Sequence, residues 1–134
     1  MASINELAAR ILRANGVGEF PARIGTTAPA LADLARARMV ANPNLFVLCQ
    51  SLDASTDDRH SAKAAAFTND DAKIIGFFLA NNTVICVLNL SRNIIGDAGA
   101  MALGEALKTN AALTILQYVE LSLRSKWRSC WEAG

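Results

Sequence analysis

The chain has 134 residues, 52% of them hydrophobic and 19% charged, which suits one folded domain with a core and excludes a disordered chain. A formal net charge of +1 gives no electrostatic reason to expect nucleic acid or an anionic membrane as partner. Cys49, Cys86 and Cys130 are odd in number, far apart and without metal-ligand spacing, so a reduced intracellular protein is expected. Met1 leads into a polar, amphipathic segment rather than an apolar signal region. No stretch nears the ~20 apolar residues of a membrane span. A cytoplasmic location is therefore expected, or a nuclear one.

In chain order, the first predicted helix opens at Ser3, which forms a capping-box pattern with Glu6. Ile4, Leu7, Ala8, Ile11 and Leu12 make one helical face, and Asn15-Gly16 ends it. A second helix is expected to start near Thr27-Ala28-Pro29 and to enclose Leu31, Leu34, Ala35 and Met39. After Asn42, Leu45 and Leu48 show the i, i+3 spacing expected of a strand segment. The stretch around Asp53 to Ala65, polar and then alanine-rich, reads as a surface-loop insertion.

Further helices are expected near Asp70–Ala80 and Ala98–Lys108. Each precedes a short strand, at Ile85–Leu90 and Leu113–Tyr118. Overlaying Asp70–Leu90 on the segment 28 residues later aligns Ala72 with Ala100, Gly76 with Gly104, Leu79 with Leu107 and Asn82 with Asn110. Asn69 and Asp97, both good N-cap residue types, coincide as well. Ile85, Leu88 and Leu90 are spaced i, i+3, i+5, so the last two share one face of a strand. One strand and one helix cannot bury their apolar faces alone, whereas stacked units can, with the two strands running in parallel. A Leu/Met-x-x-Asn ending also occurs at Asn15, Asn42, Asn82 and Asn110.

The string from Ile85 to Asn110, ICVLNLSRNIIGDAGAMALGEALKTN, resembles the long leucine-rich repeat of ribonuclease inhibitor and the NOD-like receptors. The resemblance implies an α/β fold: a short right-handed β-α leucine-rich-repeat solenoid with a helical N-terminal part. The expected division is a helical part over 1–68, either degenerate repeats or a cap, with the loop insertion near 53–65. Repeats follow over 69–121, and an irregular tail or cap over 122–134. Asn93, three residues after Leu90, is implied to sit inside a turn and to bond the backbone of neighbouring coils.

The chemistry-bearing residues are sparse. His60 is the one histidine. Beside Asp57 and Asp58 it lacks the convergent partners of an acid-base or metal site and reads as a loop residue. Cys86 and Cys49 have no histidine partner in sequence. Gly96-Asp97-Ala98-Gly99 lacks the Lys-Ser/Thr of a phosphate loop. No catalytic residue, metal or cofactor is expected.

What remains is surface. The strand face turned away from the core holds Val87, Asn89 and Ser91, with Arg92 at its rim, and Ile115, Gln117 and Val119, with Glu120 at its rim. In the family resembled, this concave face binds ligand. The sequence thus reads as a non-catalytic protein-protein interaction scaffold built from leucine-rich repeats, with another protein as partner and neither nucleic acid nor membrane. The alternative is a stacking fragment of a longer or truncated repeat protein with no ligand of its own.

Overall fold

The computed structural model describes residues 2–13, 19–55, 57–62, 64–90, 92–108, 110 and 115–117. Helices α1 (Ile4–Arg13), α2 (Glu19–Arg23), α3 (Ala28–Ala41) and α4 (Pro43–Ala54) come first. They are followed by β1 (Arg59–Ser61), α5 (Asn69–Ala80), β2 (Val87–Asn89), α6 (Asp97–Leu107) and β3 (Ile115–Gln117).

Local signals set most helix starts. The Glu6 amide donates to Ser3 Oγ at 3.2 Å and the Ser3 amide to Glu6 Oε1 at 3.4 Å, closing the predicted capping box. Thr27 caps α3 through the Ala30 amide, with proline in the first turn. Asn42 ends α3 and also caps α4, accepting from the Asn44 amide. That junction leaves no strand after Asn42. Leu45 and Leu48 are buried on α4 instead, because i, i+3 spacing serves a helix as well as the strand motif, and Asn42-Pro43 commits the backbone to helix.

The expected caps of the later helices are displaced by one residue. Thr68 caps α5, in a box completed by Asp71. Gly96 begins α6 with no side-chain cap of its own. Asn69 supplies one from the neighbouring element: its Oδ1 accepts from the Gly96 amide at 2.6 Å and the Gly99 amide at 3.1 Å. Asp97 lies in the first turn of α6, where its charge favours the helix dipole. Gly99 permits the close approach of α5 and α6, since a Cβ there would stand 2.5 Å from Ile95 Cγ2 and 2.9 Å from Ala72 Cβ.

α5 is the centre of the molecule. Eight of its twelve residues are buried, from Asp71 round to Leu79, the all-round burial of a helix covered on every side. It packs against α6, α4, α3 and α2. Its one buried charge, Asp71, meets Arg38 of α3 at 2.7 and 3.1 Å.

The three strands form one parallel sheet in the order β1-β2-β3. Arg59 pairs with Val87 and Val87 with Ile115, each step spanning 28 residues. β1 lies inside the stretch read from sequence as a surface loop, so that reading is corrected. Positions 57, 60 and 62, one repeat before Ile85, Leu88 and Leu90, are Asp, His and Ala, and the apolar signal of a strand is missing there.

The fold-class expectation is corrected as well. Helices of 10, 5, 14, 12, 12 and 11 residues stand against three strands of three residues each. This is a mainly helical protein with a small sheet, not an α/β leucine-rich-repeat solenoid. The physical reason lies in the first half of the chain. α1 and α3 bury Leu7, Ala8, Ile11, Leu31 and Ala35 in the common core; both pack on one another and on α4, and α3 packs on α5 as well. They form a helical layer rather than further strand-helix coils. The 122–134 tail, the Asn15-Gly16 helix ending and Leu113 and Tyr118 lie outside the described residues. No described helix is long and apolar enough to cross a membrane.

Candidate functional site: the outer face of the sheet

Parallel pairing aligns the strands in rows. Arg59, Val87 and Ile115 stand opposite one another, then His60, Leu88 and Leu116, then Ser61, Asn89 and Gln117. Side chains alternate across a strand, and the accessibilities follow: Leu88 is fully buried, while Val87 and Asn89 on either side of it are partly exposed. On β1, Arg59 and Ser61 are exposed and His60 is partly buried. Arg59, His60, Ser61, Val87 and Asn89 line a shallow groove.

Of the residues expected on this face, Val87 and Asn89 are in the groove. Ile115 and Gln117 occupy the matching backbone positions of β3. Arg92 is exposed beyond the strand end, in left-handed conformation at φ 60°. Ser91, Val119 and Glu120 lie outside the described residues. Sequence reading missed Arg59 and Ser61, which complete the face. The one signal that could have found them is their offset of 28 from Val87 and Asn89.

Asn93 braces the face at the end of β2. Its Oδ1 accepts from the Ala65 and Phe67 amides at 2.9 and 3.0 Å. Its Nδ2 donates to the Leu90 and Ala62 carbonyls at 2.8 and 3.0 Å. One side chain thus ties the end of β2 to the turn after β1, as the turn role implied for it requires. Ala64 and Ala66 in that turn have φ of 55° and 59°, a conformation that disfavours residues with a Cβ. A lower tier repeats the device. Asn82 accepts from the Val84 and Ile85 amides and donates to the Leu52 carbonyl, and Asn110 donates to the carbonyls of Leu79 and Asn82.

The titratable groups near the face are few. His60 is a strand residue rather than a loop residue. Burial lowers its pKa, against a smaller raising effect of Asp57. A lowered folded pKa means that the folded state holds fewer protons than the unfolded one. Stability is then retained above the ordinary histidine pKa and falls as pH drops through it toward the folded value. His60→Gln is therefore expected to flatten the decline in urea midpoint between pH 7.5 and 5.5. An equal decline in both proteins would show that His60 is not its source.

Cys49 is wholly buried on α4, and burial, helped by Asp71 and Asp53, raises its pKa well above the ordinary thiol range. The Cys86 thiol lies 3.4 Å from the Val84 carbonyl. Cys130 is outside the described residues. Among the described residues, no group of three His, Cys, Asp or Glu side chains is placed to hold a metal ion. A cavity of about 180 Å³ opens between α1, α4 and α5, walled by Leu52, Phe77, Phe78 and Asn81. The Arg10–Asp53 ion pair, 2.9 Å long, stands at it.

Comparison of the chain with protein-family models and with curated proteins gives no match in either.

Proposed function

We propose that the chain is a non-catalytic protein-binding module that meets another protein through the outer face of its sheet. The supporting observation is the row structure of that face. Backbone pairing fixes a cation at Arg59, a hydroxyl at Ser61, an aliphatic group at Val87 and an amide at Asn89 around one groove. Groups held on a ladder lose little conformational freedom on binding. Three strands at ~4.8 Å spacing span only ~10 Å, less than a standard interface needs, so affinity through this face alone is expected to be micromolar or weaker. A cytoplasmic partner is proposed, in keeping with the free thiol of Cys49.

A partner captured by the full chain, identified and purified provides the test. Val87→Glu and Arg92→Glu are expected to weaken its binding at least tenfold. Met101→Gln, on α6, and Lys108→Gln, at its C-cap, are expected to leave it unchanged. The opposite pattern would move the contact to the helices and refute this reading. A second reading, a stacking unit with no ligand of its own, draws on the side chains of Asn82 and Asn110, which bond back to the preceding unit. It predicts no partner sensitive to any of the four substitutions.

A further inference from the structure

β1 is an edge strand, and its bonding pattern decides which way each backbone group points. The Asp58 carbonyl accepts from Val87, and the Ala62 amide donates to the Asn89 carbonyl. In a parallel ladder these two bonds fix His60 as the β1 residue whose N–H and C=O both face β2. The N–H and C=O groups of Arg59 and Ser61 therefore point outward. Among the described residues, nothing pairs with those four groups, because α3 passes directly into α4 at Asn42 and supplies no earlier strand. β1 carries neither a proline nor a bulge to blunt the edge.

We propose that an extended peptide segment of the partner protein adds to the sheet alongside β1, an inference that rests on the protein-binding reading above. The chemistry of the neighbouring row sets that of the segment. Beside Arg59 it places an acid: the Arg59 side chain is 77% exposed and only loosely paired with Asp58, at 3.9 Å, so it is free to change partners. Beside His60, whose row continues into the fully buried Leu88, it places an apolar residue. Beside exposed Ser61 it places a small polar one. The recognised unit is an acid-apolar-polar triplet, with main-chain bonds giving affinity and alternate side chains giving selectivity.

The test uses the full chain and a labelled eight-residue peptide carrying Glu-Val-Thr at its centre among alternating valine and threonine. Saturable binding is expected, weakened at least tenfold by Ser61→Pro, by Arg59→Glu, or by lysine in place of the peptide glutamate. Proline suits position 61 because the N–H it removes faces away from β2. Where Ser61→Pro fails to fold, methylation of alternate peptide amides, tested on the unaltered protein, must abolish binding. Absence of binding, or binding indifferent to these changes, overturns the proposal. So does a Ser61-dependent dimer of the chain alone, which would assign the edge to a second copy. Met101→Gln, on α6 and away from the sheet, is expected to leave peptide binding within threefold. If Val87→Glu weakens the purified partner while Ser61→Pro does not, the face reading stands and the edge inference falls.

Discussion

Asp71→Ala is expected to destabilise the protein by about 3 kcal/mol, because removing one partner of a buried ion pair strands the other. The Asp71 carboxylate is fully buried and accepts three bonds: from Arg38 Nε at 2.7 Å, Arg38 Nη2 at 3.1 Å and the Thr68 amide at 3.0 Å. It serves at once as the capping-box acid of α5 and as the clamp between α3 and α5. Arg38 keeps 28% of its side chain exposed, so water recovers part of its solvation. The loss should therefore sit at the lower end of the 3–5 kcal/mol typical of broken buried pairs. Asp71→Asn, which keeps an acceptor for Thr68, should cost less. Double substitution with Arg38→Met should recover part of the loss, since the stranded charge is gone. Urea midpoints at unchanged m-value measure all three. A change below 1 kcal/mol for Asp71→Ala would show that apolar packing alone holds α3 on α5.

Neither the ion pair nor the first strand could be read along the chain, for related reasons. Arg38 and Asp71 are 33 residues apart, and no local pattern marks them as partners. β1 pairs with β2 through main-chain bonds that need no apolar side chains, so Asp57, His60 and Ala62 hide it. Local features were legible: the capping box at Ser3, the helix start at Thr27, the apolar face of α1, and the i, i+3, i+5 spacing around β2. Each is decided within a few residues by hydrogen bonds or periodicity. Where one spacing serves two structures, as at Leu45 and Leu48, the cap and the proline beside it carried the decision. The 28-residue overlay correctly aligned two strands and two helices. It could not show that α2, α3 and α4 would close on α5 with α1 packed behind α3 and α4, since that depends on contacts between distant helices. Of the candidate site, the β2 half was legible and the β1 half was not.

Asn93→Ala is expected to cost roughly 2 kcal/mol, within the 1–3 kcal/mol typical of buried groups left without partners. Both amide protons and the amide oxygen of Asn93 are used, in four bonds to main-chain groups at residues 62, 65, 67 and 90. Phe67 is fully buried and Ala62 and Ala65 nearly so, so water cannot readily replace the lost partner at all of them. Relaxation of the left-handed Ala64 and Ala66 once the turn is released would return part of the loss, which keeps the expected value near 2 rather than above 3 kcal/mol. Asn93→Asp separates the donor from the acceptor role. It retains the acceptor for Ala65 and Phe67 but gives up both donated bonds and sets a charge facing two carbonyl oxygens, so it should destabilise about as much as alanine. Thr83→Ala, at an exposed turn residue, is the control and should stay within about 0.5 kcal/mol. Hydrogen exchange at the Ala65 and Phe67 amides is the more direct probe. In Asn93→Ala both should lose protection while the amides inside α5 keep theirs relative to the new global stability. Protection at Ala65 and Phe67 that merely tracks global stability would mean that Asn93 is not what holds the turn after β1.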